Sequence, residues 1–351
     1  MTDLPRTLFM GISNGAVAWY RCALPATVLG CDWIGLSGEP ADHKIRAGNV
    51  GDDFAFADIA SYDVVIVQQV CGPLWLRAIR DWQDAGVTVL YEIDDWLHGV
   101  RNVPHHTEAK RLDRATVQTY ELCMRAADGI ICSTEYLARR YASINPHTWA
   151  CRNGIDLVRY AFTRPQREFV GIGWAGGTGH VASTKAWIDE VGTVMRERSD
   201  THFISVGQPF ADWLKGEFGD RTLAVPFTAM EVYPAAMTHF DISLAPAGKG
   251  DYFKAKSDLR WLEAAALSMP CIADPDVYPE IEHGVTGFHA STAAEMREIL
   301  RELVADRELR ERVGAAAHEH VVEHRTVQVA AQSWAQVLRE VARQPLAAVP
   351  S

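Results

Sequence analysis

The chain has 351 residues, 48% of them hydrophobic and 23% charged, enough to bury two cores of ordinary domain size. A formal net charge of -11 argues against a broad nucleic-acid-binding face, which needs clustered Lys and Arg, while leaving room for a local basic groove. No apolar run reaches the length of a membrane span, no signal-peptide pattern precedes the first strand, and seven scattered cysteines without a C-x-x-C suit a reducing compartment. The expectation is a cytoplasmic protein.

In chain order, the apolar run TLFMGI at 7–12 predicts a first strand, and Ser13-Asn14-Gly15-Ala16 a turn leading into a helix through Trp19, Tyr20 and Arg21, disturbed by Pro25. A strand, a small-residue turn and a helix open a doubly wound α/β domain. G-x-G-x-x-G is absent, which counts against a dehydrogenase. DVVIVQ at 63–68 and VTVLYEI at 87–93 predict two further strands, separated by a helix that starts at Pro73. Glu92 and the adjacent Asp94 and Asp95 fall at the carboxyl end of the second, where parallel sheets bind ligands. These carboxylates suit hydroxyl contacts or general-base work better than metal binding, because adjacent Asp residues point their side chains apart. His105-His106 lies in a Pro-flanked loop suited to a mobile lip. A long helix is predicted over 108–127, a strand over 129–132 and a helix capped by Ser133-Thr134; Asn153-Gly154-Ile155-Asp156 follows.

The polar, Pro-containing stretch 157–168 reads as a linker. VGIGW at 170–174 opens a second sheet and runs into Gly176-Gly177-Thr178-Gly179-His180, where bare backbone and a following helix N-terminus favour an anion. Strands are predicted at 202–206, 223–225 and 241–245, with helices at 210–218 and 230–239. KAKSDLRWLEAAA then places Lys254, Lys256 and Ser257 (read as a helix N-cap) ahead of a helix whose polar stripe carries Lys256, Arg260 and Glu263. Cys271-Ile272-Ala273 reads as a buried strand, His283–Phe288 as a glycine-bracketed turn, and the rest as three helices ending in a frayed tail.

Leu262-Glu263-Ala264-Ala265-Ala266, with Pro270, Ile272 and Ala273 behind it and His283-Gly284-Val285-Thr286-Gly287-Phe288 as tail, resembles the nucleotide-sugar site of the retaining GT-B glycosyltransferases of family 4, the glycosyl transferases group 1. Glu92-Ile93-Asp94-Asp95, Ala127–Thr134 and Asn153–Asp156 are similar to the same family in the same order. Tyr20-Arg21 after a Gly turn resembles a phage and bacterial subgroup. The resemblance implies an α/β, GT-B fold of two Rossmann-like doubly wound domains facing a cleft: residues 1–160 on the acceptor side, 161–325 on the donor side, and 326–351 crossing back as a helix and tail.

The implied activity is metal-free, retaining transfer of a sugar from a UDP- or GDP-sugar to an acceptor hydroxyl, with no tightly bound cofactor. The donor would meet Glu263 at its ribose and Gly176, Gly177, Thr178, Gly179, His180, Lys254, Lys256 and Ser257 at its phosphates. Asp94 and Asp95 would serve catalysis, and Asn14, Gly15, Tyr20 and Arg21 the acceptor or sugar side. Two departures stand out. The family's G-R-x-x-x-x-K-G loop is replaced by G-W-A-G-G-T-G-H. Its first glutamate is Ala255, which removes a side chain that usually meets a sugar hydroxyl and leaves the ribose to Glu263. Other readings are a transferase acting on DNA bases, a nucleotide-sugar-binding relative without transfer activity, and a GT-B-like sugar-nucleotide epimerase.

Overall fold

The computed structural model describes residues 4–12, 15–37, 44–51, 54–103, 106, 109–177 and 181–343. Seven strands form the first sheet: β1 (Thr7–Gly11), β2 (Asp32–Ser37), β3 (Lys44–Gly48), β4 (Val64–Gln68), β5 (Thr88–Ile93), β6 (Gly129–Cys132) and β7 (Thr148–Ala150), in the order β3-β2-β1-β4-β5-β6-β7. Only β3 runs antiparallel, pairing with β2 at the edge. Helices cover both faces, so β1 and β4 are buried along their whole length, which explains their unbroken apolar sequences. Sequence reading missed β2, β3 and β7. The first two mix polar residues and glycine with apolar ones, and the third has three residues.

The second sheet is parallel throughout: β8 (Val170–Gly176), β9 (Thr201–Gly207), β10 (Thr222–Val225), β11 (Ile242–Ala245), β12 (Cys271–Ala273) and β13 (Phe288–His289), in the order β10-β9-β8-β11-β12-β13. Both sheets therefore reverse direction of growth at a central strand, and each opens a crevice beyond its strands' carboxyl ends.

Between β7 and β8 the chain has no regular helix or strand, only a turn over 157–160. At the other end of the molecule the helix Val327–Arg343 lies on the first domain, with Trp334 and Leu338 in one buried cluster with Phe9 and Ala26. Gly154 sits under the start of that helix. A Cβ there would lie 2.6 Å from the Thr326 carbonyl oxygen and 2.7 Å from the Val327 Cα, so only glycine admits the crossing. Arg325, just ahead of the helix, donates twice to Asp258 (2.7 and 2.9 Å) and once to Glu280 (2.5 Å), and Arg152 reaches the same two carboxylates.

This network changes the start of the helix Leu259–Ala266. The sequence places Ser257 as its cap, yet Asp258 occupies that position and gives no side-chain cap, its carboxylate being taken by the two arginines. Ser257 instead accepts from the Asn153 amide at 3.0 Å. The first helix also departs from a simple α-helix. Residues 16–18 are α, Trp19–Ala23 form a π turn and Leu24–Leu29 resume α, with the Leu24 amide bonded to the Trp19 carbonyl. Pro25 lacks an N–H and would crowd the carbonyl four residues back; a wider turn just before it relieves that clash.

Candidate active site

On the second-domain wall, β8 delivers Gly176 to the cleft with φ +153, in the region that favours glycine. A Cβ on Gly176 would meet the Arg260 guanidinium at 2.6 Å. Arg260 projects from the helix Leu259–Ala266, lies 5.1 Å over the Trp174 ring, and buries an Nη1 that has no hydrogen-bond partner. Among the described residues no carboxylate stands within ion-pair distance of it. One turn along the same helix, Glu263 is 4% exposed. Both its oxygens accept from tyrosines: Oε1 from Tyr20 at 2.9 Å and Oε2 from Tyr233 at 3.0 Å, with Tyr160 2.9 Å from the Tyr20 hydroxyl. Burial pushes the Glu263 carboxyl up to about 7, against the lowering effect of the tyrosine hydroxyls and Arg260.

Arg260 and Glu263 share a cavity of about 230 Å³ with Gly176, Gly177, Gly207, Phe227, Thr228 and Tyr233, and Tyr20 and Ala16 of the first domain close it. Its lining is mostly apolar, yet it holds two orphaned buried polar atoms, Arg260 Nη1 and Thr228 Oγ1. Buried polar groups without partners are uncommon, and two in one cavity mark where a ligand's polar atoms fit.

On the first-domain wall, the neighbours Tyr20 and Arg21 part company. Tyr20 reaches across to Glu263, whereas Arg21 is 1% exposed and turned into the domain. There it donates to Glu92 at 2.6 Å, the Cys151 carbonyl and Asn153 Oδ1, and Gln68 donates to the other Glu92 oxygen at 2.9 Å. Arg21 is thus a core group that ties the first helix to β5 and the 151–153 segment.

Beyond β5, Asp94 accepts from the Gln69 amide, and Gln69 is one of two described non-glycine residues with positive φ (+47). Burial, then Asp95 and Glu92, raise the Asp94 carboxyl to about 8. Asp95 binds Lys256 of the second domain at 2.5 Å, and the ammonium also lies 4.6 Å over the Tyr252 ring. Although burial opposes its charge, Asp95 and then Tyr252 hold the Lys256 pKa above its usual range.

Of the remaining sequence-derived residues, Gly177 lines the cavity, Lys254 is exposed on the helix Asp251–Lys254, and Gly15 is exposed ahead of Ala16–Ala18. Asn14, Thr178, Gly179 and His180 lie outside the described residues. Among the described residues no group of three or more His, Cys, Asp or Glu is placed to hold a metal ion, and no helix is long and apolar enough to cross a membrane. Sequence reading put Arg260 only on a polar stripe and gave Tyr160, Tyr233 and Gln69 no role. Arg260's position three residues before Glu263 was the available signal, since that spacing puts both on one helix face.

Residues 187–336 match the family model described as glycosyl transferase-like. No curated protein matches the chain in sequence. Among solved structures, HepE from Anabaena, in complex with UDP and glucose, superposes with a TM-score of 0.68 at 14% identity, over 95% of this chain and 99% of its own. Sucrose-phosphate synthase from Thermosynechococcus elongatus gives 0.68 at 13%, over 96% and 99%. An alpha-glucosyltransferase in complex with UDP-glucose and DNA containing an abasic site gives 0.62 at 12%, over 96% and 99%. Two doubly wound domains across a cleft, the second matching a glycosyltransferase family model, give this chain the GT-B glycosyltransferase fold.

Proposed function

We propose that the chain is a glycosyltransferase that moves a sugar from a nucleoside-diphosphate sugar, a UDP-sugar in the first instance, to an acceptor hydroxyl. The observation that carries this reading is the cleft cavity, which pairs the acceptor-only carboxylate of Glu263 with the unpartnered guanidinium of Arg260. A nucleoside diphosphate has the complementary groups at the same separation of roles: a ribose diol that donates and a diphosphate that accepts. The complexes of HepE with UDP and glucose and with UDP-glucose support a UDP-linked donor.

In this reading the ribose hydroxyls replace tyrosine hydroxyls on Glu263, and the nucleobase lies against Phe227 and Thr228 at the cavity mouth. The diphosphate meets Arg260 and the backbone at Gly176 and Gly177. Negative charge grows on the leaving diphosphate as the glycosidic bond breaks, and a guanidinium fixed beside it lowers that barrier more than it lowers the ground state. Asp94, with its raised pKa, is the base for the acceptor hydroxyl, oriented by Gln69. Lys256 holds Asp95 in place and brings a second cation to the same side of the cleft. Retention and metal independence, implied by the family resemblance, belong to this proposal. A DNA-base acceptor is less favoured, given the net charge of -11.

Thermal shift and donor hydrolysis over a panel of UDP-, GDP- and ADP-sugars test it, with and without EDTA, on wild type and Glu263→Ala. We expect one nucleotide to stabilise the wild type, EDTA to leave the effect unchanged, and the variant to lose it. Stabilisation of neither protein by any nucleotide would sink the reading.

A further inference from the structure

At the far end of the second sheet from the cleft, four arginines converge on one cavity of about 420 Å³. Arg164 and Arg167 come from the segment joining the domains, and Arg307 and Arg310 from the first turn of the helix Arg307–His324. The cavity opens at the amino ends of β8 and β11, next to Val170 and Asp241. We propose that this cavity is a second anion site, shaped for a phosphate group either free or carried on a small metabolite.

Three observations carry it. The first is charge. Arg164 pairs with Asp241 at 3.2 Å and Arg307 with Glu311 at 2.7 Å, but Arg167 and Arg310 have no carboxylate within ion-pair distance among the described residues. Their bonds go to neutral carbonyls: Arg167 to His239 and Thr238, Arg310 to Leu303 and Val304. Carbonyls satisfy N–H groups without cancelling the positive charge. Glu168 also lines the cavity and is exposed, so the balance stays positive in a protein whose total is -11.

The second is an orphaned donor, since Arg167 Nε is buried without a partner. The third is burial of cationic groups. Burial lowers the pKa of both Arg164 and Arg310 even though Asp241 and Glu311 favour their charge, so an anion in the cavity would relieve a desolvation cost that these carboxylates do not fully offset. Planar guanidiniums with spare N–H groups around a cavity of this size match the bidentate geometry of a phosphate group.

Isothermal titration of the full chain with inorganic phosphate and with glucose 6-phosphate, at ionic strength matched with chloride, tests the site. The variants are Arg307→Gln, Arg167→Gln/Arg307→Gln and, as a control in the cleft, Arg260→Gln. We expect Arg260→Gln to lose at most the cleft's own contribution and to keep the second site, Arg307→Gln to bind at that site at least about fivefold more weakly, and the double variant to lose it, since each lost charge-assisted contact is worth about that much or more. Tighter binding of glucose 6-phosphate identifies a carried phosphate, and equal binding a free one. Loss of binding in Arg260→Gln with retention in the double variant would overturn the proposal, as would a heat no different from that of chloride. Because Arg307 is exposed and pairs only with Glu311, its single variant stays informative even where the double variant unfolds.

Discussion

The two walls of the cleft are built on opposite principles. The second-domain wall is left unfinished: a glycine turn, a guanidinium with a free buried N–H and an apolar cavity with a second orphaned polar atom. The first-domain wall has its charges paired internally, although Arg21 Nη2 and Gln68 Oε1 are buried there without partners. Arg21 is spent on Glu92, Cys151 and Asn153, Asp94 on Gln69, and Asp95 on Lys256. A cation that lines a cavity without a carboxylate partner points to a ligand, whereas one paired inside the domain holds a scaffold, and charged residue types alone do not distinguish the two.

The comparison breaks first at Arg21. If it is scaffold, Arg21→Met should lower the unfolding free energy by about 3–5 kcal/mol, because it strands a buried carboxylate at Glu92. Replacing both partners with apolar residues should recover much of the loss, as urea denaturation of the two variants would show. An unchanged midpoint with abolished transfer would instead return Arg21 to the acceptor side.

Arg260 is the converse case, a cation that stacks on Trp174 but has no carboxylate partner among the described residues to lose. Arg260→Gln should leave urea stability nearly unchanged and weaken UDP binding by about 2–3 kcal/mol, roughly 30- to 150-fold, the range for hydrogen bonds to charged groups. Titration calorimetry separates this from an unfolding effect. A variant that binds UDP normally would remove the diphosphate role.

The two elevated carboxylates sharpen the contrast through pH. Each is protonated below its folded pKa, so ionisation comes on as pH rises through about 7 for Glu263 and about 8 for Asp94. Donor affinity should therefore climb to near neutrality and level off, while turnover climbs about tenfold per unit until about pH 8, as expected of a base with that pKa. Glu263→Gln should flatten the first limb and Asp94→Asn should abolish turnover. The same shifts run the other way in stability. Between the usual carboxylate range and pH 8 the folded chain binds more protons than the unfolded one, so stability falls as pH rises.

How much of this was legible follows the same division. The unbroken apolar strands and their outlets announced a doubly wound sheet, and the apolar spacing around Glu263 announced the helix that carries it, because both depend on local pattern. What hid were relations across the chain. Tyr233 meets Glu263 from 30 residues away, Tyr160 joins the group through Tyr20 from 140 residues away, and no periodicity links them. Ser257 looked like a cap because the sequence cannot reveal that Arg325, a domain crossing later, claims the residue that takes its place. Tyr20 and Arg21 looked equivalent as neighbours; both are buried on the π turn, but Tyr20 faces Glu263 across the cleft and Arg21 faces Glu92 inside its own domain.

Tyr20 gives the smallest effect and the finest test. Glu263 holds one tyrosine from each domain, and only the Tyr20 bond crosses the cleft. That hydroxyl occupies the carboxylate oxygen that the proposed reading gives to the ribose, so in that reading donor binding exchanges one neutral donor for another. Removing the competitor should help the ligand by about the net worth of one such bond, ~1 kcal/mol, or about fivefold tighter UDP. Tyr20→Phe should then lower KM for the donor while kcat holds. Tyr233→Phe should not reproduce this gain, because Tyr233 stays with Glu263 in the second domain whether the cleft is open or closed. Weaker donor binding in Tyr20→Phe would mean the hydroxyl contacts the donor itself, and the first-domain wall would prove less self-contained than its ion pairs suggest.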